Sequence, residues 1–395
     1  MQIYETIQTY ADEHADLYKK LALDIFVHPE VSNHEVYACS TLCDHLRKEG
    51  FTVATDIAGH STGFIGTYTS SKDGPVIGVL CEYDALPTLG HACGHNVYAA
   101  VSMLTAVTLK QVMDELGGEL RIYGTPCEEG GENPDAKISY VRAGLFDDVD
   151  AALSLHPSYY TRISPPTLAI DSMEVEYHGR SSHSSNAPEK GINALDGGVM
   201  LYNGISMLRQ QLADGLRCSL YFTNGGQPGI ISDYCSLRIG AAALHRGEVN
   251  ELMDKLVKIA KGAAEASLCE ITITRAERGD DDMILTPLLD ERYMTYINKF
   301  GGGNINEDYR GGLGATDVGN VSQVIPTLHS RLSISNTPIT AHTIEFKQAA
   351  CSEYGLDQIV KGAKALACIG ADLILEPEYL AAVKAQHAAQ KAKSL

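Results

Sequence analysis

"CEYDALPTLGHACGHNVYAA", residues 81–100, places a thiol (Cys93) two positions before an imidazole (His95), with Asp84 and His91 close upstream. By itself the stretch suits a redox cysteine, a structural zinc clip, a cysteine nucleophile with its base, or half of a catalytic metal site. Its flanks say where it sits. "PVIGVLCEYD" (75–84) ahead of it reads as a strand, and "VYAAVSMLTAVTLKQVMDEL" (97–116) behind it as a long helix. Strand, loop and helix in that order form the repeating unit of an α/β sheet.

The same alternation continues on both sides. Apolar positions at helical spacing (Ile3, Ile7, Tyr10, then Leu17, Leu21, Ile25) predict one or two opening helices, and "HEVYACSTLCDHLRKEG" predicts another that stops at Gly50. "FTVAT" and "TGFIGTYT" read as strands. Beyond residue 118 come strand "ELRIYGTP", helix "DAKISYVRAGLF" and strand "AALSLHP". The expected fold is therefore α/β, a catalytic domain around a mostly parallel central sheet. From "PPTLAIDSMEVEYHGR" onward the order becomes strand, helix (191–212), strands, helix (247–266), strand ("CEITITRA"), which fits a small α+β insert. The expected division is 1–165 with 282–395 for the catalytic domain and 166–281 for the insert, with "RGDDDM" as the return turn. The glycine-rich "KFGGGNINEDYRGGLGATDVGN" (299–320) lacks a strand-then-helix dinucleotide pattern and reads as a loop, not a phosphate cradle.

Composition limits the partners. A chain of 395 residues is long for one core and points to two domains. A formal charge of −19 repels nucleic acid and anionic membrane surfaces, so neither is expected as a partner. No window approaches the roughly 20 apolar residues of a membrane span, and the acidic N-terminus has no signal-peptide core. A cytoplasmic location is expected. The ten cysteines are scattered singly and suit a reducing compartment.

"CEYD", "TPCEEGGE" and "LHP" each end an apolar strand, the edge where α/β sheets bind ligands. A divalent cation needs thiolate, neutral imidazole and carboxylate donors converging from rigid elements, and Cys93, His95, Glu128, Glu129 and His156 offer that set. The adjacent Glu128–Glu129 pair repels itself unless a cation or a proton relieves it. Metal hydrolases use such a pair with one carboxylate as ligand and its neighbour as general base. A redox centre would want a resolving cysteine beside Cys93, and a zinc knuckle would want two close ligand pairs. A cysteine hydrolase stays open, but it leaves the Glu pair without a task.

With "GHACGHN", "EEGGE", "SLHP" and the C-terminal "TAHT" together, the chain resembles the amidohydrolase branch of the dinuclear metallopeptidases, the group of hippurate and auxin-conjugate hydrolases. The likeness is strongest to the subgroup of p-aminobenzoyl-glutamate hydrolase and related dipeptidases. The resemblance covers nearly the whole chain. It implies a zinc-peptidase-like catalytic domain with an inserted ferredoxin-like lid and dimerisation domain. It also implies two divalent ions, zinc or manganese, held by Cys93, His95, Glu129, His156 and His342, with Glu128 as base toward a metal-activated water. Asp84 and His91 would orient ligands. His183 in "GRSSHSSNAP" would be the lid histidine that polarises the substrate carbonyl, from its own or a partner subunit. The implied substrate is a small amide, an N-acyl or N-aroyl amino acid or a dipeptide, and the implied assembly is a homodimer through the lid. Arg238 and Arg331 are candidates for a substrate carboxylate. His60, His178, His245 and His329 read as ordinary structural histidines. A non-catalytic metal-binding or ligand-binding subunit that retains the hydrolase fold is the alternative.

The sequence departs from the branch pattern in three places. Asn96 replaces an aspartate after the loop histidine, "GATDVGN" leaves Thr316 and Asp317 where another acidic residue is usual, and the lid offers only Asn224 for its asparagine.

Overall fold

A computed structural model describes residues 2–276, 279–306 and 313–394. The chain divides into two compact units, one of residues 1–166, 283–313 and 317–395, the other of 167–282 with 314–316. The central part of the glycine-rich loop, 307–312, and the start of the return turn, Arg278, lie outside the described residues.

The first unit opens with α1 (Gln2–Glu13), α2 (Ala15–Val27) and α3 (Val36–Lys48), then β1 (Thr52–Ile57), β2 (His60–Thr69) and β3 (Val76–Cys81). The long helix α4 (His95–Leu116), β4 (Glu119–Gly124), α5 (Ala136–Arg142) and β5 (Ala151–Ser158) follow. The second unit contributes β6 (Ala169–His178), β7 (Ser182–His183), α6 (Ala194–Leu208), β8 (Arg217–Asn224), β9 (Ile230–Ile231), β10 (Tyr234–Ala243), α7 (Arg246–Ser267) and β11 (Glu270–Arg275). The chain then returns to the first unit with α8 (Pro287–Lys299), α9 (Val318–Ser322), β12 (Thr327–Ser333), α10 (Ile344–Ala349), α11 (Glu353–Leu375) and α12 (Pro377–Ser394).

The central sheet runs β1-β2-β4-β3-β5-β12. β4, β3, β5 and β12 are parallel, whereas β1–β2 and β2–β4 are antiparallel. The sheet is therefore mixed but mostly parallel, as expected: three of its five pairings are parallel, and the antiparallel ones lie at the β1–β2 edge. Its two faces have separate cores. Ile77, Val79, Leu120, Ile122, Leu153 and Leu155 face α4 and α11, while Leu80, Tyr123 and Ala152 pack with Tyr140 of α5 and Val318 and Val321 of α9. Strands covered on both faces read as unbroken apolar runs, as "VIGVL" and "AALSL" do. Seventeen of the 22 residues of α4 are buried, so the helix sits inside the unit, with its exposed polar residues confined to its last two turns.

The second unit is a four-stranded antiparallel sheet in the order β11-β6-β10-β8 with α6 and α7 on one face. Strand–helix–strand–strand–helix–strand in that spatial order is the ferredoxin-like arrangement. No helix among the described residues is long and apolar enough to cross a membrane.

Candidate active site

The donors gather at the C-terminal ends of β3, β4 and β5, and unusual backbone brings them there. Between Cys93 and His95 the chain passes through Gly94 at φ +83°, where an added Cβ would lie 2.9 Å from Pro157 Cβ. Only glycine allows the cysteine loop to run that close to the residue after His156. On the next strand end, Cys127 adopts φ +62° just before the Glu pair. A non-glycine residue pays roughly 1–2 kcal/mol for that conformation. Cys127 N–H is held by the buried Glu35 carboxylate at 3.1 Å, which fixes the turn. His342, also at φ +64°, is tied to the cysteine loop by its N–H to the Ala92 carbonyl at 2.9 Å.

Two three-donor groups result, and they share the thiol. Cys93, His95 and His156 place their donor atoms within 4.8 Å of one another, and so do Cys93, Glu129 and His342. Cys93 Sγ lies 3.5 Å from His156 Nε2, and His342 Nε2 lies 3.4 Å from Glu129 Oε2. All five residues expected as ligands are thus brought together. A third group joins Glu82, His95 and Glu128 within the same limit.

The hydrogen bonding leaves lone pairs for a cation. His95 Nδ1 meets Asp84 Oδ1 at 2.8 Å, while its buried Nε2 and the buried Glu129 Oε1 have no hydrogen-bond partner. A buried acceptor left unpaired costs about 1–3 kcal/mol, and a divalent ion would satisfy both. Thiolate, imidazole and carboxylate donors in this number suit zinc and comparable divalent ions. Asp84 also accepts the Glu129 N–H through Oδ2 at 2.9 Å, so one carboxylate orients two of the expected ligands. His91 lies elsewhere. Its Nε2 reaches the Ile25 carbonyl at 3.1 Å and its ring stacks near Phe26, so it anchors the loop to α2 rather than bonding a ligand. Burial, helped by the nearby His95, lowers its pKa to about 4.

The two glutamates have different surroundings. Burial and the adjacent Glu82 push the Glu128 carboxyl well above the usual carboxylate range. Burial also acts on Glu129, but its bond from His342 and the charge of His95 outweigh it and hold that carboxyl below the usual range. Their surroundings thus push two adjacent carboxyls in opposite directions.

Behind the donors lies a network that sequence reading did not find. Lys137 of α5 is fully buried, with Nζ 2.8 Å from Glu82 Oε1 and 2.6 Å from Asp317 Oδ1. Burial alone would neutralise the amine, but Asp317 and Glu82 keep it charged. Glu82 Oε2 in turn stands 3.3 Å from His95 Nε2. The available signals were a lone lysine between apolar residues in "AKISY" and an acid closing the apolar run "VIGVLCE". Asp317 serves this network. Asn96 donates to the carbonyls of Ala22 and Ala350, at 3.2 and 3.0 Å, and so joins α4 to two other elements.

In the second unit, His183 is exposed on β7, and its Nδ1 accepts the N–H groups of Ser185 and Asn186, each at 3.2 Å. That fixes the tautomer with the proton on Nε2, a donor turned outward. Asn224 closes β8 and accepts Gly226 N–H in a local turn. Arg238 is exposed on β10.

Residues 169–267 match the peptidase dimerisation domain, which is the second unit from β6 through α7. Over 392 residues the chain is 32% identical to the human Xaa-Arg dipeptidase, covering 94% of this chain and 89% of the relative. The chain belongs to the M20 family of metallopeptidases. Another M20 relative, a p-aminobenzoyl-glutamate hydrolase subunit from Escherichia coli, is 31% identical over 285 residues, covering 67% of this chain and 58% of that protein. Among solved structures, a Bacillus subtilis protein described as a dinuclear metal-binding peptidase of the M20 family superposes with a TM-score of 0.66 at 18% identity, covering 91% of this chain and 99% of that one. An M20 chain is a hydrolase of the amidohydrolase and metallopeptidase class, and the α/β fold with its dimerisation domain agrees.

Proposed function

We propose that this M20 chain hydrolyses the amide bond of a small N-acyl or N-aroyl amino acid or of a dipeptide, with Glu128 as general base. The observation that carries the reading is the pair of donor groups sharing Cys93, in which buried His95 Nε2 and Glu129 Oε1 make no hydrogen bond and face acidic and thiol donors instead. Cys93, His95, Glu129, His156 and His342 would hold two divalent ions, zinc or manganese; the thiolate favours zinc. When bound, such ions supply Lewis acidity and lower the pKa of water.

The chain's own residues account for the proton. Glu128 stands beside His95 and Glu129, with its Oε2 3.8 Å from His95 Nε2, placed to take a proton from the attacking water and return it to the departing amine. His183, with its proton on Nε2, is assigned the substrate's developing oxyanion, from its own or a partner subunit. Asp84 keeps His95 and Glu129 in register.

The reading includes a homodimer through the second unit. Strand β8 ends that sheet with Tyr221 and Phe222 exposed, and α6 exposes Val199, Met200, Tyr202 and Met207, more apolar surface than a solvated domain usually leaves open. It also places the enzyme in the reducing cytoplasm, since all ten cysteines are free thiols, Cys39 and Cys43 with Sγ atoms 3.9 Å apart among them. The net charge of −19 disfavours nucleic acid and membrane partners.

The test is metal analysis of purified protein, then turnover of dipeptides, N-acyl amino acids and aminobenzoyl-glutamate by metal-loaded enzyme. Two ions per chain with hydrolysis of at least one class is expected. Two ions and no hydrolysis of any would leave a metal-binding subunit instead.

A further inference from the structure

The loop of residues 127–135, which carries Glu128 and Glu129, is closed at its neck by Asp135 N–H donating to the Cys127 carbonyl at 2.9 Å. Its backbone is held in unfavourable conformations. Cys127, Asn133 and Asp135 sit at φ +62°, +50° and +64°, where residues with a side chain stay only if their surroundings impose it. A segment far away in the chain imposes it here.

Residues 32–35, between α2 and α3, lie across this loop as a strap. Glu35, fully buried, takes the Cys127 N–H at 3.1 Å through Oε1 and the Thr62 hydroxyl at 2.8 Å through Oε2. Ser32 Oγ donates to the Gly130 carbonyl, and a Cβ added at Gly131 would run into that serine. Asn33 Nδ2 donates to two carbonyls on the far side of the loop, Glu132 at 2.9 Å and Asn133 at 3.0 Å. With its amino group so engaged, Asn33 meets His60 Nδ1 through Oδ1 at 2.8 Å, and that ring nitrogen is the donor. His60 Nε2 lies 2.7 Å from Ser139 Oγ, which ties the ring, and with it the plane of the Asn33 amide, to α5.

The two glutamates depend on the strap unequally. Glu129 has anchors of its own, with its N–H on Asp84 at 2.9 Å and its carboxylate 3.4 Å from His342. The Glu128 side chain makes no hydrogen bond among the described residues, and His95 Nε2 stands 3.8 Å from its Oε2. Where that carboxyl points is therefore set by the loop that carries it. We propose that Asn33, at the centre of the strap, is a positioning residue for Glu128, acting on kcat while substrate binding and metal retention stay as they are. The proposal rests on Glu128 being the base. A base displaced by about 1 Å from the water it activates loses on the order of 100-fold in rate with the substrate still bound.

The experiment measures kcat, KM, metal content and melting temperature for metal-loaded wild type, Asn33→Ala and Asn33→Asp. Tyr4→Phe, which drops a bond to Asp372 at 2.7 Å between α1 and α11, is the control for stability alone. Asn33→Ala should lose about 10–100-fold in kcat, with KM within about 2-fold of wild type and the metal content unchanged. Asn33→Asp still accepts from His60 but cannot donate to the two carbonyls, and should lose as much. Tyr4→Phe should melt earlier and keep its kcat. Asn33→Ala added to Glu128→Gln should cost less than about 2-fold more, because a residue that acts through the base has nothing left to act on. An unchanged kcat in Asn33→Ala would overturn the proposal. So would a loss carried by KM or by metal, or a full second loss in the Glu128→Gln background. An active Glu128→Gln removes the base itself, and the proposal with it. If wild type cleaves no amide, amide hydrolysis fails as the function. Faster amide hydrogen exchange across 127–135 in Asn33→Ala then still supports the strap's hold on the loop, and unchanged exchange denies it.

Discussion

His95 Nδ1 lies 2.8 Å from Asp84 Oδ1, and this bond turns the opposite ring nitrogen toward Cys93, Glu128 and Glu129. A carboxylate behind a ligating histidine fixes its tautomer and raises its basicity. Asp84→Asn should weaken divalent-ion binding by roughly 10–100-fold while the protein stays folded. A chelator competition that returns the wild-type affinity would deny Asp84 this part.

The proposed mechanism gives Glu128 the proton and leaves the cations to the five other donors. Glu128→Gln keeps the shape and a neutral acceptor but removes the base, so the variant should retain two ions per chain and lose about 10²–10⁴ in kcat. Substantial turnover by the metal-loaded variant would remove it from the mechanism.

Both donor groups contain Cys93, whereas His342 belongs to one of them. Cys93→Ala should therefore lose both ions and His342→Ala only one. Elemental analysis of dialysed protein reads this directly, and two ions per chain in Cys93→Ala would contradict the shared thiolate.

Lys137 is the counter-charge of two buried acids, Glu82 and Asp317. Lys137→Met leaves them facing each other in the interior, at a cost of about 3–5 kcal/mol. Thermal or denaturant unfolding measures it; a loss under 1 kcal/mol would mean the acids already share a proton.

Asn96 donates to two carbonyls, which a carboxylate cannot do. Asn96→Asp should cost about 3 kcal/mol or more at neutral pH. Burial against carbonyl oxygens raises the introduced carboxyl's folded pKa above its unfolded value. The penalty is therefore complete above the folded pKa and fades as pH falls from there toward the unfolded value. A penalty that grows on acidification would reverse this account.

The fold class and the donor set were legible in the primary structure for a local reason. Strand–loop–helix periodicity repeats within about 20 residues, and each cluster ("CEYD", "EEGGE", "SLHP") directly follows or ends an apolar run, so chemistry and position could be read from the same short windows. The division into two units has the same origin, in a change of element order near residue 166. What could not be read depends on distance in the chain. Lys137 and Asp317 are 180 residues apart, and the apolar neighbours of Lys137 in "AKISY" hint at burial without naming the acid it meets. The antiparallel attachment of the β1–β2 pair to the rest of the sheet arises from β2 meeting β4 across an intervening strand and helix.

Amino-acid order alone determined which elements form and which side chains end their strands, because propensity and hydrophobic period act between near neighbours. The tertiary structure decided which of these groups are dry and what each one faces. That is why it put Arg331 in register with His156 while Arg238 stayed exposed, and why it gave Glu128 and Glu129 different surroundings. Burial and long-range register set the charge on a group, and both exist only once the chain has closed on itself.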